Sequence, residues 1–420
     1  MKTLKIDRIG NLGEGVAIDE GEKIFVPFAL TGETVLARVE GNYAELIDIL
    51  EPSPQRIPPI CAFYGQCGGC AVQTLNDESY AAWKISLLEN AAQRERLSFK
   101  ILPMINAHGC GRRRVALHAR ISDGVAHIGF MAARSHRLVE IKHCPLLVAE
   151  LSPAPQAARD LSQILASREK PLDLAITATP EGMDIDIRGA GTLASHEIQA
   201  LIKSAQAHRL ARLTNHTRLV TLIQAPWIDI HGTHTPLPPG AFLQATQAGE
   251  EIIGLNILEA LKKAKSVADL FCGIGAFSLR IARFARVVAY DNNPLAIEAL
   301  CTACRQTPGL KPLQAETRDL FNRPLTPQEL IHFDAVIFDP PRAGAHEQVK
   351  SLARSDVKTI VAVSCNAQSF CRDAAILVAG GYSMGPITPI DQFRYSTHLE
   401  LVAVFTRQSD PSRGRRRLLG

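Results

Sequence analysis

No apolar run in this 420-residue chain approaches the length of a membrane span, and its start, MKTLKIDRIGNLGEG, lacks the apolar core of a secretory signal. The chain therefore reads as cytoplasmic, with no membrane partner. Strong charge is lacking too: 46 Lys and Arg against 42 Asp and Glu leave a formal +4, which permits a polyanionic partner without demanding one. A disulfide framework is not expected in a reducing compartment, so where the ten cysteines cluster they point to metal or catalysis. What is present, 46% apolar and 21% charged residues, describes a globular protein too long for one ordinary core. Two or three domains in a monomer are the simplest expectation.

Residues 1–55 read as short alternating strands with Gly-rich turns, among them LKIDRIGNLGEGVAI and EKIFVPFAL, which suggests a small β-barrel. The four prolines of EPSPQRIPP make a linker. Residues 56–235 form a mixed α and β region, with a helix in DESYAAWKISLLENAAQRERL, strands in RRRVALHARI and VAHIGFMA, helices around Glu150 to Leu165 and His196 to Ala207, and no repeat. From 236 to 409 the pattern alternates between buried strands (SVADLF, RVVAYD, FDAVIFDPP, KTIVAVSC) and helices, the signature of a doubly wound α/β sheet with ligands at the carboxyl ends of its strands. Residues 410–420 are a basic tail without periodicity, read as disordered.

ADLFCGIGAFSLRIA is a strand, then Gly273, Gly275 and Ala276, then a helix, and Asp291 ends the next strand at a distance suited to ribose hydroxyls. A dinucleotide fingerprint would have a third glycine where this chain has Ser278, which favours S-adenosylmethionine, a cofactor with no phosphate to cradle. A tight turn with no ligand is the plainer reading of a lone Gly-x-Gly. In FDAVIFDPPRAG, Asp339 ends a strand of the same sheet and Pro340 and Pro341 stiffen the exit.

Cys365 follows another of these strands and precedes a helix, so the helix dipole is expected to lower its thiol pKa and make it a nucleophile. Cys371, deeper in that helix, reads as packing. Glu400 opens the last strand beside His398 and is the candidate base, although a solvated residue is the default for any single glutamate.

The order DLFCGIGAFS, DPPRAG, SCNAQSFCRD and THLELVAVF resembles the RNA 5-methyluridine methyltransferases, with GAFLQATQAGEEI and an N-terminal stretch similar to the family's TRAM barrel extending the likeness upstream. The resemblance implies a class I S-adenosylmethionine-dependent, Rossmann-like domain, a TRAM/OB-like barrel and a central α+β iron–sulfur domain. It implies that Cys365 adds to carbon 6 of uracil and Glu400 removes the carbon 5 proton. Gln244, Phe271, Asp291, Asp319 and Asp339 fall on cofactor-pocket positions, Asp339 also where it would orient the uracil edge. The chain departs from the family pattern at Ala276 (usually Asn), Asp291 (often Glu) and Ala367 (usually Pro), none of which removes chemistry.

Cys61-x5-Cys67-x2-Cys70 supplies three thiolates, and Cys144, followed by a proline, is the candidate fourth. The resemblance implies a 4Fe–4S cluster there, with zinc as the rival for four thiolates. Cys301 and Cys304 read as helix core. Arg112, Arg113 and Arg114 form the best basic patch for RNA phosphates, and the barrel plus cysteine cluster resembles the family's rRNA branch more than its compact tRNA enzymes, which implies 23S rRNA as the substrate. The target base would leave its stack to reach Cys365. The alternatives are a tRNA uridine-5 methyltransferase, an amino-methylating enzyme with a similar Asp-Pro-Pro turn, and an RNA-binding protein that keeps the fold with little catalysis.

Overall fold

The computed structural model describes residues 1–133 and 135–408; the basic tail expected at 410–420 lies outside them. Four sheets organise the described residues. The first eighth of the chain folds into a six-stranded sheet, in the order Lys2–Lys5, Thr34–Glu40, Tyr43–Glu51, Glu22–Val26, Gly15–Asp19, Arg8–Ile9. Period-2 alternation turns Leu4, Ile24, Val26, Val35 and Ala37 onto one shared core.

The middle of the chain forms a seven-stranded sheet running from Leu138–Glu140 through Arg114–Ser122 and Gly182–Arg188 to Arg218–Leu222. Its neighbours are antiparallel except Gly182–Arg188 with Arg212–Asn215, which the helix Ser195–Ala207 connects. That helix and Ala154–Ile164 cover one face through Leu161, Leu201 and Ala205.

Eight strands make the largest sheet, in the order Leu313–Thr317, Arg286–Asp291, Ser266–Leu270, Ala335–Phe338, Thr359–Ser364, Glu400–Arg407, Tyr382–Asp391, Ile105–Asn106. The first five run parallel, and Glu400–Arg407 is antiparallel to both of its neighbours. Strand order reverses between Ser266–Leu270 and Ala335–Phe338, the switch point where a crevice opens beyond the carboxyl ends of a parallel sheet.

Three segments assigned to the middle region by sequence belong physically with this sheet. The helix Asp77–Arg94 buries Leu88, Ala91 and Ala92 in the same core as Phe370 and Leu377, and Ile105–Asn106 pairs with Tyr382–Asp391. The hairpin Trp227–Ile230 and Thr233–Pro236 likewise packs Ile228 and Ile230 against the sheet's core. Polar spacing along the chain does not reveal which sheet an amphipathic segment will cover. Among the described residues no helix is long and apolar enough to cross a membrane.

Candidate active site

The loop after Ser266–Leu270 is built to pass backbone close to a ligand. Phe271 holds a left-handed φ of 64°, a strained state for a bulky residue, and Gly273 and Gly275 follow at 53° and 91°. A Cβ on Gly275 would meet Leu300 Cδ1 at 2.3 Å, so only glycine lets the loop sit on its helix, whereas a Cβ on Gly273 would meet nothing within 4 Å. Asp291 fixes the loop from the next strand: its Oδ2 accepts from the Gly273 N–H at 2.9 Å and its Oδ1 from the Asn293 N–H at 2.9 Å. Ala276 turns its carbonyl away, to the Arg280 Nε.

Asp319 accepts from the Phe321 N–H and from the Asn322 side chain, and these bonds hold its carboxyl below the usual range. The turn presents Phe321, 41% exposed, with its ring 5.4 Å from that of Phe271. The aromatic pair flanks the crevice, and Phe321 escaped the sequence reading because a lone Phe in a loop carries no pattern.

Gln244, Asp339 and Glu400 are brought together through a residue that sequence did not single out. Gln392, fully buried, donates through Nε2 to Gln244 Oε1 at 2.7 Å and to Glu400 Oε2 at 2.6 Å, and Gln244 Nε2 donates to Asp339 Oδ2 at 2.8 Å. The result is a continuous bonded chain from Asp339 to Glu400. Glu400 is 1% exposed, and its Oε1 has no partner. Burial, reinforced by the Asp339 carboxylate, pushes the Glu400 carboxyl well above its ordinary value. Burial and nearby Asp269 raise Asp339 to about 7. Asp269 is itself 1% exposed, accepts from the Ser278 hydroxyl and is raised to about 7, chiefly by burial.

Cys365 sits between the strand Thr359–Ser364 and the helix Ala367–Ala379, whose first amides are capped by the Asn366 side chain. Its thiol is not lowered as the helix position suggested. Burial, with Glu400 and Asp339 adding negative charge, lifts it to about 12, against a downward pull from Arg342. Two nearby acids and desolvation outweigh a dipole that acts only over the first turn. His398 is lowered to about 4 by burial and by Arg342, which keeps the imidazole neutral.

Lys84, fully buried, anchors the segment that carries Gln392 and His398. Its Nζ bonds Asp391 Oδ1 at 3.0 Å, the Phe393 carbonyl at 3.2 Å and the His398 carbonyl, while Tyr80 donates to Asp391 Oδ2 at 2.8 Å. Burial lowers the Lys84 ammonium to about 8.

A cleft of about 580 Å³ runs from this segment across the cysteine-rich stretch to the N-terminal sheet, lined by Arg112, Arg114 and Arg342. A second cavity, of about 250 Å³, has Cys365 in its wall. The three arginines expected in a row do not act alike. Arg113 turns inward, with Nε donating to the Gln244 carbonyl and NH2 paired with buried Glu250, so it is a brace for the Gln244 segment and not a phosphate contact. Arg114 stacks 4.6 Å from the Phe242 ring, and Arg112 Nε is left without a partner.

Cys61, Cys67, Cys70 and Cys144 line one cavity of about 190 Å³. The approach depends on Gly68, where a Cβ would lie 2.8 Å from the Met131 carbonyl and the Ala133 nitrogen. Among the described residues no three His, Cys, Asp or Glu side chains close on a common point as a single metal ion demands. Cys301 and Cys304 are half-buried on the helix Pro294–Gln306.

The crystal structure of the Pyrococcus abyssi tRNA (uracil-54, C5)-methyltransferase in complex with S-adenosyl-L-homocysteine shares this fold, with a TM-score of 0.70 at 19% identity over 96% of this chain and 100% of that one. Fold and relatives define the class as RNA methyltransferases: an uncharacterized RNA methyltransferase of Brucella suis biovar 1 is 41% identical over 96% of this chain and 97% of its own length. The 23S rRNA (uracil(1939)-C(5))-methyltransferase of Chromohalobacter salexigens is 31% identical over 98% of this chain and 90% of its own. The family model for tRNA (uracil-5-)-methyltransferase matches residues 318–408. The chain belongs to the RNA uracil-5 methyltransferase family.

Proposed function

We propose that this enzyme methylates carbon 5 of a uridine in 23S rRNA, with Cys365 as nucleophile and Glu400 as base. The observation that carries the reading is the bonded chain Asp339–Gln244–Gln392–Glu400 beside the Cys365 thiol. Carbon 5 of uracil is too weak a nucleophile to take a methyl group unaided. Once its proton has passed to solvent, the Cys365 thiolate adds to carbon 6, which converts the ring to an enolate and makes carbon 5 nucleophilic. S-adenosylmethionine supplies the methyl group from its sulfonium. The unpartnered Glu400 Oε1 then takes the carbon 5 proton, the carbon 6 to sulfur bond breaks, and Cys365 leaves as thiolate. A carboxyl pushed upward is a stronger proton acceptor once ionised, which suits that step.

The residues fit the cofactor. Phe271 and Phe321 would hold a flat ring, Asp291 and Asp319 its ribose, and the open face over Gly273 leaves room for the backbone approach. Charge that burial penalises on Asp339 would be offset by a cationic ligand. The four-cysteine cavity fits a 4Fe–4S cluster in donor chemistry, since four thiols line one space of about 190 Å³. Cys61, Cys67, Cys70 and Cys144 would hold it, and its role would be to staple the segment that reaches the cleft: the Ala71 and Val72 amides both donate to the Tyr395 carbonyl. The N-terminal sheet is read as a TRAM-type RNA-binding barrel. The 23S rRNA target is supported by the Chromohalobacter relative, which covers nearly the whole chain.

Incubation with labelled S-adenosylmethionine and unmodified 23S rRNA is expected to yield 5-methyluridine. RNA substituted with 5-fluorouridine, from which no carbon 5 proton can leave, is expected to stay covalently attached. Methyl transfer to unmodified tRNA alone would move the target, and methyl transfer by Cys365→Ala would overturn the mechanism.

A further inference from the structure

The tight turn Gly10–Glu14 of the N-terminal sheet reaches the catalytic cleft and is held there from several sides. Within the turn, the Gly10 N–H donates to the Glu14 carbonyl at 2.7 Å and the Gly13 N–H to the Gly10 carbonyl at 3.1 Å. Trp83 Nε1 donates to the Gly10 carbonyl at 3.1 Å, and Asn90 Nδ2 to Asn11 Oδ1 at 3.2 Å. Gly13, at φ 85°, packs so closely on the cysteine-rich stretch that a Cβ would lie 2.7 Å from that of Ala71. This clamped turn presents Leu12, 59% exposed.

Leu12 lines both the arginine-walled cleft and the cavity with Cys365 in its wall; Thr397 and His398 line both as well. The three residues thus form the neck between the two spaces. An isolated exposed leucine needs no explanation. One held rigidly from outside, at a neck beside the nucleophile, is placed to do something.

We propose that Leu12 is a wedge that fills the gap in the RNA stack when the target uridine turns toward Cys365. The inference rests on the uridine-methylation reading. An enzyme acting on a base in a stacked strand must take it out of the stack, and an aliphatic side chain inserted between bases offsets the lost stacking without selecting a sequence. The charge pattern supports a strand crossing the neck: Arg112, Arg114 and Arg342 line the cleft and Arg94 the Cys365 cavity, cations for phosphates on both sides of the neck, with the Gln368 amide beside Cys365 for a base edge.

The test compares wild type, Leu12→Ala and Leu12→Met on a folded 23S rRNA fragment and on an unstructured RNA carrying the same target sequence. Leu12→Ala is expected to lose about tenfold more kcat/KM on the folded RNA than on the unstructured one. Leu12→Met should restore most of that difference. 2-Aminopurine beside the target uridine should brighten when wild type binds and brighten less with Leu12→Ala, a change that packing alone would not produce. S-adenosyl-L-homocysteine affinity and melting temperature report whether the variant folds. Equal loss on both RNAs, or an unchanged 2-aminopurine signal, overturns the wedge. If wild type itself forms no 5-methyluridine in any RNA, the parent reading has failed and the wedge falls with it.

Discussion

Two cysteine settings in this molecule share one physical cause and differ in everything around it. Burial lifts the thiols of both Cys365 and Cys70 to about 12. Around Cys365 the neighbours are carboxylates, Glu400 and Asp339, which oppose ionisation further, with Arg342 and a backbone hydrogen bond pulling the other way. Around Cys70 they are other thiols, Cys144 and Cys67, with Arg112 opposing them. A lone thiol among acids can ionise only as part of a reaction that spreads its charge onto a substrate. Clustered thiols suit a metal, which displaces their protons and shares their charge, and the reading proposed above puts one in the cavity lined by Cys61, Cys67, Cys70 and Cys144. On the proposed reading, desolvation serves reactivity at Cys365 and metal affinity in the four-cysteine cavity.

The largest way to break this comparison is to remove the lone thiol. Cys365→Ala is expected to lower methyl transfer by about 10⁴-fold or more, measured with labelled S-adenosylmethionine. Glu400→Gln leaves the thiol but removes the proposed base, so the enzyme should stop after methyl transfer. A covalent protein–RNA species on ordinary uridine RNA, resolved by denaturing electrophoresis, would show it; free turnover by this variant would reassign the base.

Disturbing the other setting should act on metal before rate. Protein purified without oxygen is expected to hold iron and sulfide in equal amounts. Cys70→Ser and Cys144→Ser should lose most of both, with melting lowered by several degrees, roughly 1–3 kcal/mol for a chain of this size, while Cys301→Ser keeps them. Zinc without sulfide would favour the rival metal.

The pH response sharpens the contrast. Because burial and two acids raise the Cys365 thiol, kcat/KM should keep climbing with pH beyond the ordinary thiol range near 8.5. An early plateau would show that binding of RNA is not needed to ionise it. The smallest effect is on stability. Asp339 is raised to about 7 in the fold from its ordinary value of 3.8, so the folded state binds the extra proton and this contribution is lost as pH climbs from about 4 to 7. The melting temperature of Asp339→Asn minus that of wild type should therefore grow across that window in the cofactor-free protein, and a flat difference would place Asp339 in a wetter environment.

Legibility followed range. The strand-loop-helix units around Gly273, Asp339 and Cys365 are local motifs, and the positions of Asp291 and Glu400 at strand ends were readable from the chain. Gln392 was not, because nothing near it in sequence distinguishes it: its partners Gln244 and Glu400 arrive from other elements, one of them 148 residues away. Arg113 was misread for the same reason, since its partner Glu250 lies 137 residues downstream. The single parallel pairing inside the middle sheet, and the transfer of Ile105–Asn106 to the large one, also depend on partners that no periodicity names.

By itself the sequence determined the chemistry on offer: one thiol at a strand end, a terminal carboxylate, a glycine loop and four grouped cysteines, because each depends on residue type and short spacing. Only the tertiary structure decided what those groups do to one another. Burial lifts a thiol that its helix alone would lower, a glutamine joins two acids into one chain, and a surface leucine meets the cavity walled by Cys365. Desolvation and hydrogen bonding act through space, and space is set only when distant strands meet.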